Sequence, residues 1–173
     1  MNVLAAIERG DHRVMRKVHR WSAPKWMRLW MICATRGGDG WLWYALGVVL
    51  LVLGGDQRFR AVGKAALSAA LGIALFLWLK KAINRKRPCA IEPHCWSNLL
   101  PPDRFSFPSG HTITAFAVAT PIAAMYPGLA YGLWFCALSV AASRVLLGMH
   151  FVSDVIAGSL LGWALGTAVH AVL

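Results

Sequence analysis

Apolar positions in this chain gather into long runs separated by short polar breaks. Residues 61–79 hold one charge, Lys64, near the start of nineteen positions. At a rise of about 1.5 Å per residue, such a run nearly crosses a hydrocarbon core of about 30 Å. Residues 41–53, 111–125, 128–147 and 155–173 repeat the pattern, with turns at Gly37-Gly38-Asp39-Gly40 and Tyr126-Pro127-Gly128. The first stretch differs. Residues 3–19 set Leu4, Ile7, Val14, Met15 and Val18 among basic residues, which predicts an amphipathic helix on a membrane surface, weakened by Gly10. Residues 21–35 are Trp-rich but interrupted by Lys25 and Arg28, so the pattern leaves open whether they span or only dip into the interface. The expected fold is all-α. It is an integral membrane bundle of five or six transmembrane helices, residues 37–173, behind an amphipathic and interfacial segment, residues 1–36, because lipid offers open sheet edges no partners.

Composition agrees with that expectation. The 173 residues fit one domain, and 58% are hydrophobic against 14% charged, far from the soluble mix of about half apolar and a quarter charged. The net charge is +11, from 18 Lys and Arg against 7 Asp and Glu. The basic residues fall between the apolar runs, which points to membrane lipids and phosphorylated substrates as partners. No base-stacking or groove-reading motif accompanies them, so no nucleic acid is expected. Glu8, Arg9, Asp11, Arg13, Arg16, Lys17 and Arg20 make a cleavable signal peptide unexpected. Cys33 and Cys136 sit in apolar runs and read as small core residues. Cys89 and Cys95 share a polar loop, where a disulfide and free thiols are both open, and His94 beside them raises zinc without a fourth ligand in view. The nine tryptophans read as interface anchors.

The loops alternate in character. Residues 56–60 and 126–128 fall on one side of the bundle and are short, whereas residues 80–110 and 148–153 fall on the other. Lys80 then ends one helix, His111 begins the next, Arg144 closes a third and Asp154 opens the last. Three stretches stand out: Lys80-x6-Arg87-Pro88, Pro108-Ser109-Gly110-His111, and Ser143-Arg144-x5-His150-x3-Asp154. A phosphoryl group in transfer spreads negative charge over its oxygens, so its catalysis is mostly positioning and electrostatics. Lys80, Arg87 and Arg144 supply three cations, two of them able to fork onto phosphate. Ser109 and Gly110 precede an apolar helix, whose first backbone N–H groups form an anion site, and Gly110 permits close approach of the backbone. His150 and Asp154, four apart, share a face if the turn between them is helical, and the carboxylate then holds one ring nitrogen as N–H.

Taken singly, these residues have plainer readings. Lys80, Lys81, Arg85, Lys86 and Arg87 form the basic flank that many membrane helices carry, Arg144 can snorkel, and His111 can cap its helix. Asp154 is harder to explain away: it is the sole acid after Asp103, and acids beside membrane segments are usually functional. His12, His19, His94 and His170 have no such neighbours in sequence and are expected to be non-catalytic.

Together, the three stretches resemble the signature of the type 2 phosphatidic acid phosphatase family, whose core is shared with vanadium haloperoxidases. The resemblance covers roughly residues 37–165 and includes Gly38-Asp39-Gly40. It implies His150 as nucleophile through a phosphohistidine, Asp154 to orient it, and His111 as acid, with Lys80, Arg87, Ser109, Gly110 and Arg144 binding phosphate. Neither a metal nor another cofactor is implied. Implied substrates are phosphatidic acid, phosphatidylglycerol phosphate and polyprenyl diphosphates such as the undecaprenyl carrier, and the short loop from Lys81 to Pro108 suggests breadth among them. The rival readings are a phosphotransferase with a lipid or sugar acceptor, a non-enzymatic transporter or scaffold, and a haloperoxidase, against which the membrane composition argues. The resemblance implies a bacterial inner membrane with the site facing the periplasm. The positive-inside rule agrees only if residues 21–35 span; if they lie on the surface it points to the cytoplasm.

Overall fold

A computed structural model describes residues 3–90 and 104–173. Helix α1 (Val3–Arg20) is followed by α2 (Lys25–Arg36), a wide π turn at Gly37–Trp41, and α3 (Leu42–Leu53). Four more helices complete the described fold: α4 (Arg58–Ile83), α5 (Gly110–Met125), α6 (Ala130–Leu146) and α7 (Val152–Val172). The all-α membrane bundle expected from the hydrophobic runs is the observed architecture. Three segments, 55–83, 127–146 and 152–172, are long and apolar enough to cross a membrane, while α5 and α3 are shorter at 16 and 12 residues.

Helix α5 is the centre of the bundle. Eleven of its sixteen residues are buried, which leaves it surrounded by α4, α6 and α7. Such enclosure needs close approach, and α7 provides it with Gly158, Gly162 and Gly166, one buried small residue per turn along a single face. A Cβ at Gly162 would stand 2.3 Å from the Ile113 carbonyl oxygen, and one at Gly166 would stand 2.7 Å from Thr120 Cβ. Around this centre the outward faces carry large apolar side chains, among them Val48 and Val52 of α3, Leu71 and Trp78 of α4, Phe135 of α6 and Leu160 of α7. That is the surface a lipid environment requires.

Two expectations about individual residues are corrected. Trp43 is buried in the core, and Trp134 packs on Phe116 with ring centroids 5.8 Å apart, so these two tryptophans fill volume and do not anchor the interface. Cys33, expected inside, is exposed on α2, whose buried face is Met31 and Thr35; Cys136 does pack against the core. Cys33 faces outward because α2 packs on α6 through the face of Met31 and Thr35, from which Cys33 points away. The Cys89–Cys95 pair and His94 involve positions outside the described residues, as does the side chain of His19.

The ends of the helices decide where the site stands. Helices α4 and α6 run toward one end of the bundle, and α5 and α7 start from it. Helix α1 joins that same end, where Asp11 accepts a hydrogen bond from Ser153 N at 3.1 Å and His12 packs edge-on to Phe151. The π turn after α2 is there too, through Asp39 and His111. Helix α2 leads into that turn and packs on α6, with Trp30 stacked on Phe135 at 5.7 Å between ring centroids and Thr35 bonded to Arg144.

Candidate active site

Lys80 lies in the last turn of α4, buried, with Nζ 5.2 Å from the centroid of Phe76. The same Phe76 ring would sit 3.1 Å from a Cβ on Gly110, so that glycine is small to admit the ring beneath Lys80. Asn84 ends α4 with a left-handed φ of 54° and its amide on the Lys80 carbonyl. The chain then runs beside the segment before α5: Lys86 and Phe105 form an isolated antiparallel bridge, and Ser106 N donates to the Arg85 carbonyl at 2.7 Å. This pairing carries Arg87 inward until only 2% of it is exposed.

Arg87 Nη1 donates to the Met149 carbonyl at 2.9 Å and meets His150 Nε2 at 3.0 Å. A guanidinium only donates, so His150 Nε2 accepts, and a neutral ring carries its proton on Nδ1. The 147–151 connection that holds His150 is wound tightly. The Arg144 carbonyl accepts from both Met149 N and His150 N at 3.0 Å, and Gly148 takes a φ of 73° that favours glycine. Arg144 itself, 2% exposed in the last turn of α6, reaches Thr35 Oγ1 through Nη1.

Asp154 is fully buried in the first turn of α7. Its Oδ2 accepts from the Phe151 amide at 2.9 Å, capping the helix start, and its Oδ1 accepts from Arg85 Nη1 at 2.7 Å. His150 Nδ1 approaches Oδ2 to 3.7 Å. The carboxylate thus faces the expected ring nitrogen from just beyond hydrogen-bond distance, because His150 lies in the turn before α7 and not on the helix. Burial first, then the charges of Arg144, Arg87, Lys80 and His111, hold the His150 imidazole well below its ordinary 6.5. The ring is therefore neutral at pH 7.

His111 opens α5, and its Nε2 lies 2.6 Å from Asp39 Oδ1. The turn that delivers Asp39 depends on two glycines. Gly40 has a φ of 124°, and a Cβ on Gly38 would stand 2.9 Å from Val140 Cγ1 and 3.4 Å from the His111 ring. Ser109 precedes α5: its amide donates to the Asp154 carbonyl at 3.2 Å and its hydroxyl pairs with Thr112 Oγ1 at 2.8 Å. The amide therefore ties the start of α5 to α7, and the hydroxyl braces the first turn of α5. The anion-binding capacity of this helix start rests on the amides that follow, which have no intrahelical acceptor.

The structure thus gathers Lys80, Arg87, His111, Arg144, His150 and Asp154 at one end of the bundle. Sequence reading assigned no role to Asp39, Thr35, Arg85 or Asp11. Asp39 carried a signal, since it sits between Gly38 and Gly40 in the resemblance. Arg85 was one of five basic residues, and Thr35 and Asp11 meet partners 109 and 142 positions away. Among the described residues no three His, Cys, Asp or Glu side chains are grouped so as to hold a metal ion.

The chain is 33% identical over 149 residues to a decaprenylphosphoryl-5-phosphoribose phosphatase of Mycobacterium tuberculosis, covering 82% of this chain and 80% of that protein. Its structure is similar to that of a transmembrane PAP2 type phosphatidylglycerolphosphate phosphatase from Bacillus subtilis, at 26% identity and a TM-score of 0.75, covering 96% of this chain and 85% of that one. It is similar also to LpxE of Aquifex aeolicus, at 26% identity and a TM-score of 0.77, covering 92% and 93%. Residues 61–173, which contain all eight site residues named from sequence, match the PAP2 superfamily, and the chain belongs to that family.

Proposed function

We propose that this protein is a membrane lipid phosphatase that hydrolyses phosphate from a lipid through a phosphohistidine at His150. The observation that carries this reading is the 3.0 Å approach of Arg87 Nη1 to His150 Nε2, with the ring neutral. A donor that can fork onto phosphate stands against the one ring nitrogen that bears a lone pair. A phosphate drawn in by Arg87, Arg144 and Lys80 lies next to that lone pair.

Chemistry follows from the placement. His150 Nε2 attacks phosphorus, an N–P bond forms and the P–O bond to the lipid breaks. His111 gives its proton to the leaving lipid oxygen. The ring of the phosphohistidine carries positive charge, which the Asp154 carboxylate offsets across Nδ1. Water then attacks phosphorus, His111 takes up its proton, and the N–P bond breaks to release inorganic phosphate and neutral His150.

The substrate class follows from two relatives. One is named for a decaprenyl-linked phosphoribose and the other for phosphatidylglycerol phosphate. Their lipids differ in kind and share a phosphate held near headgroup depth, which supports breadth toward lipid phosphates. The test is phosphate release in detergent from dioctanoyl phosphatidic acid, phosphatidylglycerol phosphate and undecaprenyl diphosphate. Wild type releases phosphate from more than one of them, and His150→Ala loses roughly a thousandfold or more in rate. A wild type inert toward all three until a lipid or sugar acceptor is added would overturn hydrolysis in favour of transfer.

For membrane orientation the reading rests on α1. Because α1 lies at the site end, its basic residues join those of residues 81–87 on one face, which supports the alternative in which residues 21–35 do not span. The positive-inside rule then favours a site on the cytoplasmic face.

A further inference from the structure

Asp11 is a buried carboxylate, 5% exposed, on a helix whose other charges are mostly basic and solvent-facing, and phosphate chemistry has no use for it. Its partners are specific. Oδ2 accepts from Arg85 Nη2 at 2.7 Å and from the Ser153 hydroxyl, and Oδ1 accepts from Ser153 N at 3.1 Å. Arg85 turns its other nitrogen, Nη1, to Asp154 Oδ1 at 2.7 Å, while its guanidinium lies 4.3 Å from the centroid of the Phe151 ring. One arginine therefore bridges two acids, each on its own nitrogen, and the second acid is the one that faces His150.

We propose that Asp11 is a positioning residue for catalysis, acting through Arg85 on Asp154. The inference rests on the roles given above to His150 and Asp154. Two consequences follow from the bridge. First, Asp11 holds Nη2 so that Nη1 stays on Asp154 Oδ1; with Oδ2 on the Phe151 amide, the carboxylate plane is fixed toward His150 Nδ1. Second, two carboxylates and one guanidinium sum to one negative charge. Without Asp11 the sum is zero, and Arg85 cancels the charge that offsets the phosphohistidine ring. Helix α1, which reads in sequence as a surface anchor, thereby completes the catalytic end of the bundle.

The experiment measures kcat and KM on dioctanoyl phosphatidic acid for Asp11→Asn, Arg85→Lys, the double variant, Met15→Ala and Asp154→Asn, each well below its own melting temperature. Asp11→Asn lowers kcat about tenfold or more with KM within about twofold, since the phosphate-binding cations are untouched. Arg85→Lys, which cannot fork onto two acids, does the same, and the double variant loses no more than the worse single, because the two act as one unit. Met15, fully buried on the same helix, tests a merely structural role: Met15→Ala lowers the melting temperature and leaves kcat near wild type. Equal kcat losses in Met15→Ala and Asp11→Asn would overturn the proposal. If Asp11→Asn does not fold, Arg85→Lys decides, and wild-type kcat there sinks the idea. An inactive Asp154→Asn beside a fully active Asp11→Asn defeats this inference alone, whereas a fully active Asp154→Asn defeats the reading beneath it.

Discussion

His150 is the residue on which the chemistry and the energetics meet. It is 1% exposed, neutral, and surrounded by three cations that a phosphate would neutralise. Holding it neutral has a cost that pH reveals. In the unfolded chain the ring takes up a proton near 6.5, and in the folded protein it does not until a lower pH. Its contribution to stability is therefore present above 6.5 and lost as pH falls below that value, by about 1.4 kcal/mol per pH unit until the folded value is reached. Melting of detergent-solubilised wild type between pH 7.5 and 5.5 will show a steeper loss than His150→Asn. Parallel curves would mean that the ring is not held neutral.

Among the described elements, α5 and α7 share the most extensive contact, and glycines let them approach closely. Gly162→Ala puts a methyl group 2.3 Å from the Ile113 carbonyl and 2.9 Å from Phe116 Cβ, both on a helix that is enclosed and cannot retreat. The expected loss is about 1–3 kcal/mol, as for an overfilled core. Gly132→Ala, on the outer face of α6 with nothing within 4 Å of the added carbon, is expected to be neutral or slightly stabilising. The pair of melting temperatures separates close packing from glycine content. The same contact orients the site, since Ser109 N at the start of α5 donates to the Asp154 carbonyl at the start of α7. Gly162→Ala should therefore lower kcat as well as stability.

At the scale of the whole molecule, the question is which way the bundle sits. Helix α1, the π turn and the catalytic end share one face, so their loops must have the same access to an impermeant thiol reagent in intact cells. Cysteines introduced near residues 13 and 86 should stay unlabelled until the membrane is opened, and one near residue 57 should label at once. The reverse pattern would place the site outside the cytoplasm and set the fold against the positive-inside rule. Labelling of residue 13 with residue 57 would instead mean that α2 crosses.

Much of this was legible without coordinates, and the reason is local. Hydrophobic runs report burial in lipid residue by residue, and Lys80, Arg87, His111, Arg144, His150 and Asp154 stand at the run ends, where helix direction alone sends them to one face. What depended on two distant stretches meeting was not legible. The Asp39–His111 pair, the Thr35 contact of Arg144, the exposed Cys33 and the buried Trp43 all follow from which helix packs on which, and no periodicity encodes that. The sequence by itself determined a helical membrane protein with phosphate chemistry at one end. Only the tertiary structure decided that Asp11 reaches Ser153 and Arg85, because their meeting depends on a helix docking across the bundle.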